Sequence, residues 1–108
     1  MGVGATLAFL ALAAVLEIGG DAAIRYGLIR SSWVALVGGG VLLVAYGFTV
    51  NANRSVDFGR LFGLYIAVLF VVVQLIGVAV FGERPGVSVL AGGALIVAGG
   101  AVVLMGMR

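Results

Sequence analysis

Four apolar runs separated by short polar stretches account for nearly all of this chain, and they leave few folds open. The runs cover about residues 3–24, 33–50, 60–81 and 87–107. At about 1.5 Å of rise per residue, a helix of roughly 20 residues crosses the ~30 Å hydrocarbon core of a bilayer. With 64% of its 108 residues hydrophobic and 9% charged, a soluble domain has too little interior to hide the apolar surface. No run alternates apolar and polar residues as a barrel strand with a wet lumen would, whereas a helix satisfies its own backbone in lipid. The sequence therefore predicts an all-α membrane protein, with four transmembrane helices and short loops in a single domain over residues 1–108. Such a chain is multi-pass in a cell (inner) membrane, and the lipid bilayer is its first partner.

The composition also narrows the chemistry. There is no cysteine or histidine, which removes thiolate chemistry, disulfides and the usual transition-metal ligands. The net charge of +2 arises from six arginines and four acids scattered singly, so nucleic-acid binding has no support. No nucleophile–base pair or metal cluster is present, and the glycines are not followed by the lysine and threonine of a phosphate loop. Neither an enzyme nor a cofactor is expected. The N-terminus lacks a basic n-region and the first run holds two carboxylates, so it reads as a retained helix and not a cleaved leader.

Glu17 lies deep in that first run. A carboxyl group there costs about 2.5–3.5 kcal/mol on insertion scales, so an intramembrane acid defaults to a functional hypothesis. If the span is centred near Ala14, Glu17 is about 5 Å and Asp21 about 10 Å from the midplane. Their spacing of four puts both on one helix face, with Ala13, Ala14 and Gly20 leaving room beside them. Two readings stay open for Asp21: a second acid of the site, or an i,i+4 partner of Arg25 at the headgroups.

The third span contributes Arg60, Phe62 and Tyr65. Arg60 follows Asp57 by three residues. It either points inward to a carboxylate or reaches the headgroup phosphates. Phe62 and Tyr65 fall on nearly the same face, where aromatic rings can attract organic cations or simply pack. Tyr46 of the second span can offer a hydroxyl to the same cavity. Gln74 lies about two and a half turns past Tyr65 and reads as an interhelical hydrogen bond. Trp33 reads as an interfacial anchor, and Glu83 and Arg84 as a polar turn before Pro85.

Glycine is frequent, at 19 residues. In lipid, small residues let helix backbones approach and pack closely. Gly92, Gly99 and Gly106 recur every seven residues, with Gly93 and Gly100 as a parallel row. Such a seam suits either packing within one protomer or a dimer contact, and it is read here as a dimer interface. Four spans put Arg54, Arg60 and Arg108 on one side and Arg25, Arg30 and Arg84 on the other. Three against three leaves the positive-inside rule no direction to enforce, so the chain is expected to insert both ways and pair antiparallel.

In these residues the chain resembles the small multidrug resistance family of the drug/metabolite transporter superfamily, over nearly its whole length. Leu16-Glu17-Ile18-Gly19-Gly20 followed by Arg25 looks like the family's first-helix pattern. Phe81-Gly82-Glu83-Arg84-Pro85 is similar to its third junction, and Gly92 with Gly99 resembles its dimerisation glycines. The YnfA-like branch is the nearer match, through Glu17 to Gly20 and through Gly59-Arg60-Leu61-Phe62-Gly63-Leu64-Tyr65. The resemblance implies an antiparallel homodimer that exports small organic cations in exchange for protons, with Glu17 of both protomers at the site. Departures are Tyr65 in place of the family's tryptophan, Ala67-Val68-Leu69 in place of its Gly-x-Gly hinge, and the additional Asp21 and Arg60.

The sequence thus leads to a proton-coupled exporter of small organic cations or polar metabolites, with site residues Glu17, Asp21, Tyr46, Arg60, Phe62 and Tyr65. The alternatives are a non-transporting accessory subunit with structural ion pairs, and a lipid-related carrier in which Arg60 grasps an anionic headgroup. A reporter fused at the C-terminus should be found on both membrane faces in comparable amounts. A single fixed orientation would remove the charge-balance argument.

Overall fold

The polar breaks between the apolar runs become turns, and the runs become helices. The computed structural model describes residues 2–107. Its helices are α1 (Val3–Arg30), α2 (Trp33–Val50), α3 (Phe58–Phe81) and α4 (Val87–Met105). Each is long and apolar enough to cross a membrane. The all-α, four-span architecture read from hydropathy is the observed one. Arg108, counted in the charge balance, lies outside the described residues, as does Met1. The chain divides after Ala52 into two compact units, each a helical hairpin.

Helix bounds differ from the apolar runs at three ends. α1 continues past residue 24 to Arg30, because loss of apolarity ends what lipid solvates without ending the backbone ladder. It stops where Ser31 adopts a left-handed conformation, φ 54°, and the Ser31 and Ser32 amides both donate to the Gly27 carbonyl. α3 begins at Phe58, two residues ahead of the apolar run, with the Leu61 amide donating to the Asp57 carbonyl at 2.9 Å. α4 closes at Met105, so Gly106 follows the last helical residue. Ser32 caps α2 in the usual way, its hydroxyl accepting from the Ala35 amide at 3.3 Å.

In the first unit, glycine sets how closely α1 and α2 approach. A Cβ placed on Gly39 would lie 2.8 Å from the Gly20 carbonyl oxygen and 2.7 Å from the Ile24 side chain. One on Gly20 would lie 2.8 Å from Leu43 and 3.1 Å from the Gly39 carbonyl. A Cβ on Gly27 would meet Leu36 at 2.8 Å. These neighbours run in opposite directions along the two helices, which makes the hairpin antiparallel. Backbone meets backbone at the crossing, the packing mode that lipid favours because apolar side chains gain little from leaving it. Gly38 and Gly40 have nothing within 4 Å of their Cβ positions and take no part.

The second unit is built by the same means from larger partners. Gly93 receives the Phe70 ring, and Gly100 receives the Ala67 methyl. The α3 residues Leu61, Leu64, Tyr65 and Ala67 are buried. Gly82 ends α3 at φ 64°, a conformation glycine adopts without steric cost. Its amide and that of Glu83 converge on the Gly77 carbonyl.

The crossing makes a direct prediction. Gly39→Ala should destabilise the protein by about 1–3 kcal/mol through overpacking, seen as a lower thermal midpoint in detergent. Gly38→Ala on the open side should leave it unchanged. Equal midpoints for the two variants would show that the helices do not meet at Gly39.

Candidate functional site

The register imposed by the Gly20–Gly39 crossing decides what faces Glu17. Gly27 meets Leu36, Ile24 meets Gly39 and Gly20 meets Leu43. Continuing that antiparallel register brings α1 to Glu17 where α2 reaches Tyr46. Tyr46 accordingly lies within electrostatic reach of both carboxylates, Glu17 and Asp21. Three of the six expected site residues are thus brought together in one hairpin. Glu17 and Tyr46 are half-buried, whereas Asp21 is exposed. The small residues expected beside Glu17 are tightly enclosed, with Ala13 and Ala14 at 0% exposure.

Asp21 has no ion pair with Arg25 among the described residues, although the two are four apart on α1. The ion pair found there is Arg60 with Asp57, Nε to Oδ2 at 3.7 Å. Asp21 lies on the same hairpin as Glu17 and within electrostatic reach of Tyr46.

The other three expected residues are on α3. Arg60 is exposed and engaged at the start of its own helix. Beside the Asp57 pair, its Nη1 donates to the Gly106 carbonyl at 3.3 Å. Those contacts tie the first turn of α3 to the end of α4. The sequence suggested Asp57 as a neighbour, but the Gly106 carbonyl was not legible there, because it lies 46 residues away. Phe62 links two neighbours, Phe58 at a centroid distance of 4.5 Å and Tyr65 at 6.1 Å in an edge-on arrangement. Tyr65 itself is 2% exposed, so its ring is a packed element of this hairpin as well as a candidate lining residue.

The two glycine rows of α4 part company. Gly93 and Gly100 are buried against α3, while Gly92 and Gly99 have nothing within 4 Å of their Cβ positions. Gly106, the third member of the open row by spacing, lies beyond the helix and serves as the carbonyl acceptor for Arg60.

One further polar group went without functional weight in the sequence. Gln74, Glu83, Arg84, Pro85, Gly86 and Val89 line a pocket of about 410 Å³ at the α3–α4 turn. Its sequence signal is faint: Gly77, six residues ahead of Glu83, leaves the notch in which the Glu83 carboxylate rests.

Four helices long and apolar enough to cross a membrane define the class: a small multi-pass membrane protein. No protein-family model matches the chain, and no solved structure matches it. Two relatives do. The chain is 38% identical to a UPF0060 membrane protein of Frankia casuarinae, over 100% of this chain and 99% of the relative. It is 34% identical to a UPF0060 membrane protein of Kineococcus radiotolerans, over 95% of this chain and 94% of the relative. The chain belongs to the UPF0060 family of membrane proteins, the YnfA family.

The Arg60 contacts yield a test within the second hairpin. Arg60→Leu should speed amide hydrogen exchange over residues 104–107 by roughly two- to tenfold, the loss of about one hydrogen bond. Unchanged exchange there would mean that the arginine does not hold the end of α4.

Proposed function

We propose that this protein is a proton-coupled secondary transporter that exports small organic cations or polar metabolites across the cell inner membrane. The observation that carries the reading is Glu17, half-buried within a span and set opposite the Tyr46 hydroxyl by the α1–α2 crossing. A carboxyl group so placed can hold a proton or a cation but not both, which couples the two movements. Asp21, one turn along the same face, is a second acidic position on the path to Glu17. Phe62, half-buried on α3, has an aromatic face suited to a cation. The function is carriage without bond-making chemistry.

The engagement of Arg60 supports cation export over a carrier of anionic lipid. An arginine paired with Asp57 and the Gly106 carbonyl is occupied at its own helix end. The transporting unit is an antiparallel homodimer, and the open Gly92 and Gly99 face of α4 is its contact surface. Space at those two positions supports this, as does the capacity of small residues to bring helices together in lipid.

In proteoliposomes carrying a pH gradient, Glu17→Gln should abolish proton-linked uptake of a small quaternary ammonium probe. Asp21→Asn should slow the exchange without abolishing it. Full exchange by Glu17→Gln would sink the mechanism.

A further inference from the structure

The pocket at the α3–α4 turn lies in the second hairpin and has no part in the reading at Glu17. Its lining is chemically mixed. Glu83 brings a carboxylate, Arg84 a guanidinium and Gln74 a carboxamide, around about 410 Å³ of space completed by Pro85, Gly86 and Val89. That volume falls within the usual range for small-molecule sites, roughly 300–1,000 Å³. Neighbouring residues of opposite charge at a water-facing turn would ordinarily need no further account. Three details of this one do.

First, the exposed Glu83 side chain folds back against the helix that precedes it. The chain doubles back through Gly82, and Oε1 of Glu83 rests where a Cβ on the buried Gly77 would be. Gly77 thus provides a notch that draws the acid back alongside α3. Second, Glu83 and Arg84 are adjacent yet form no ion pair with each other among the described residues, where the ion pair found is Arg60 with Asp57. Both side chains line the pocket, beyond ion-pair distance of each other. Third, Gln74 belongs to the apolar span, about 10 Å of helix below Phe81. Its side chain faces the same pocket, and none of the hydrogen bonds found among the described residues involves its amide. An amide at that depth is costly without a polar partner.

A carboxylate, a guanidinium and a carboxamide lining one cavity are complementary to a zwitterion. Arg84 suits an oxyanion, for which the planar guanidinium offers paired donors. Glu83 suits an ammonium group, and Gln74 can donate to or accept from either. The turn joins two membrane spans, so the pocket opens at a lipid–water boundary, where one common zwitterion is the aminophospholipid headgroup. We propose that this pocket binds a phosphoethanolamine group, with the phosphate on Arg84 and the primary ammonium on Glu83 beside Gln74.

The full-length protein in detergent provides the test, with short-chain phosphatidylethanolamine, phosphatidylcholine and phosphatidylglycerol titrated separately and binding followed by native mass spectrometry. Phosphatidylethanolamine should bind about tenfold more tightly than either of the others, because only its headgroup brings a cationic N–H donor to the carboxylate. Glu83→Gln should bring phosphatidylethanolamine down to the phosphatidylglycerol level. Arg84→Gln should weaken all three. Displacement by soluble phosphoethanolamine at comparable concentration would assign the site to the free zwitterion, and its failure to compete would assign it to the lipid. Equal affinity of the unaltered protein for the three lipids would overturn the proposal, as would an undiminished preference in Glu83→Gln.

Discussion

The close approach of two backbones at Gly20 and Gly39 is the constraint on which the first hairpin depends. In water, burying apolar side chains would hold α1 and α2 together. In lipid that drive is largely absent, and what remains is dispersion between surfaces that fit. Two glycines let carbonyl and Cα surfaces touch, so the helices have one depth and one register at which they fit. That register carries Tyr46 to the level of Glu17. A packing contact without polar chemistry thereby sets which polar residues share one level.

The second hairpin uses the same device differently. Gly93 and Gly100 receive Phe70 and Ala67, so α4 spends one glycine row inside its own unit and leaves Gly92 and Gly99 open. The ends are tied by polar contacts: Arg60 bridges Asp57 to the Gly106 carbonyl, and Gly82 turns the chain so that Glu83 returns to Gly77. Arg60 is engaged at a helix terminus, while Glu83 and Arg84 line a pocket.

Much of this was legible in the chain, and the reason differs between elements. The four spans follow from apolar runs, since lipid solvates each residue by its own character. Glu17 stands out for the same reason, as a costly residue in a run of cheap ones. Helix ends were less legible, because backbone hydrogen bonding continues through Arg25 and Tyr26 after the apolar signal has stopped. The setting of Asp21 was open between Arg25 and Glu17, as spacing of four serves both. Gly106 read as a third step of a seam, and it lies just past the last residue of α4 with its carbonyl accepting from Arg60, because periodicity cannot tell where a helix stops. The pocket at the α3–α4 turn had almost no sequence signal, since it depends on the chain doubling back at Gly82.

By itself, then, the sequence determined that this is a four-span membrane chain with one acid deep in its first helix. Hydropathy is additive along a chain, and a bilayer reads it one residue at a time. The tertiary structure alone decided that Tyr46 faces Glu17, that one glycine row packs while its neighbour stays open, and that Arg60 is bound at the end of α4. It also decided that Glu83 rests in the Gly77 notch. Those outcomes depend on register and on reversal of the chain, which place residues far apart in sequence at one level, and no local pattern records that distance.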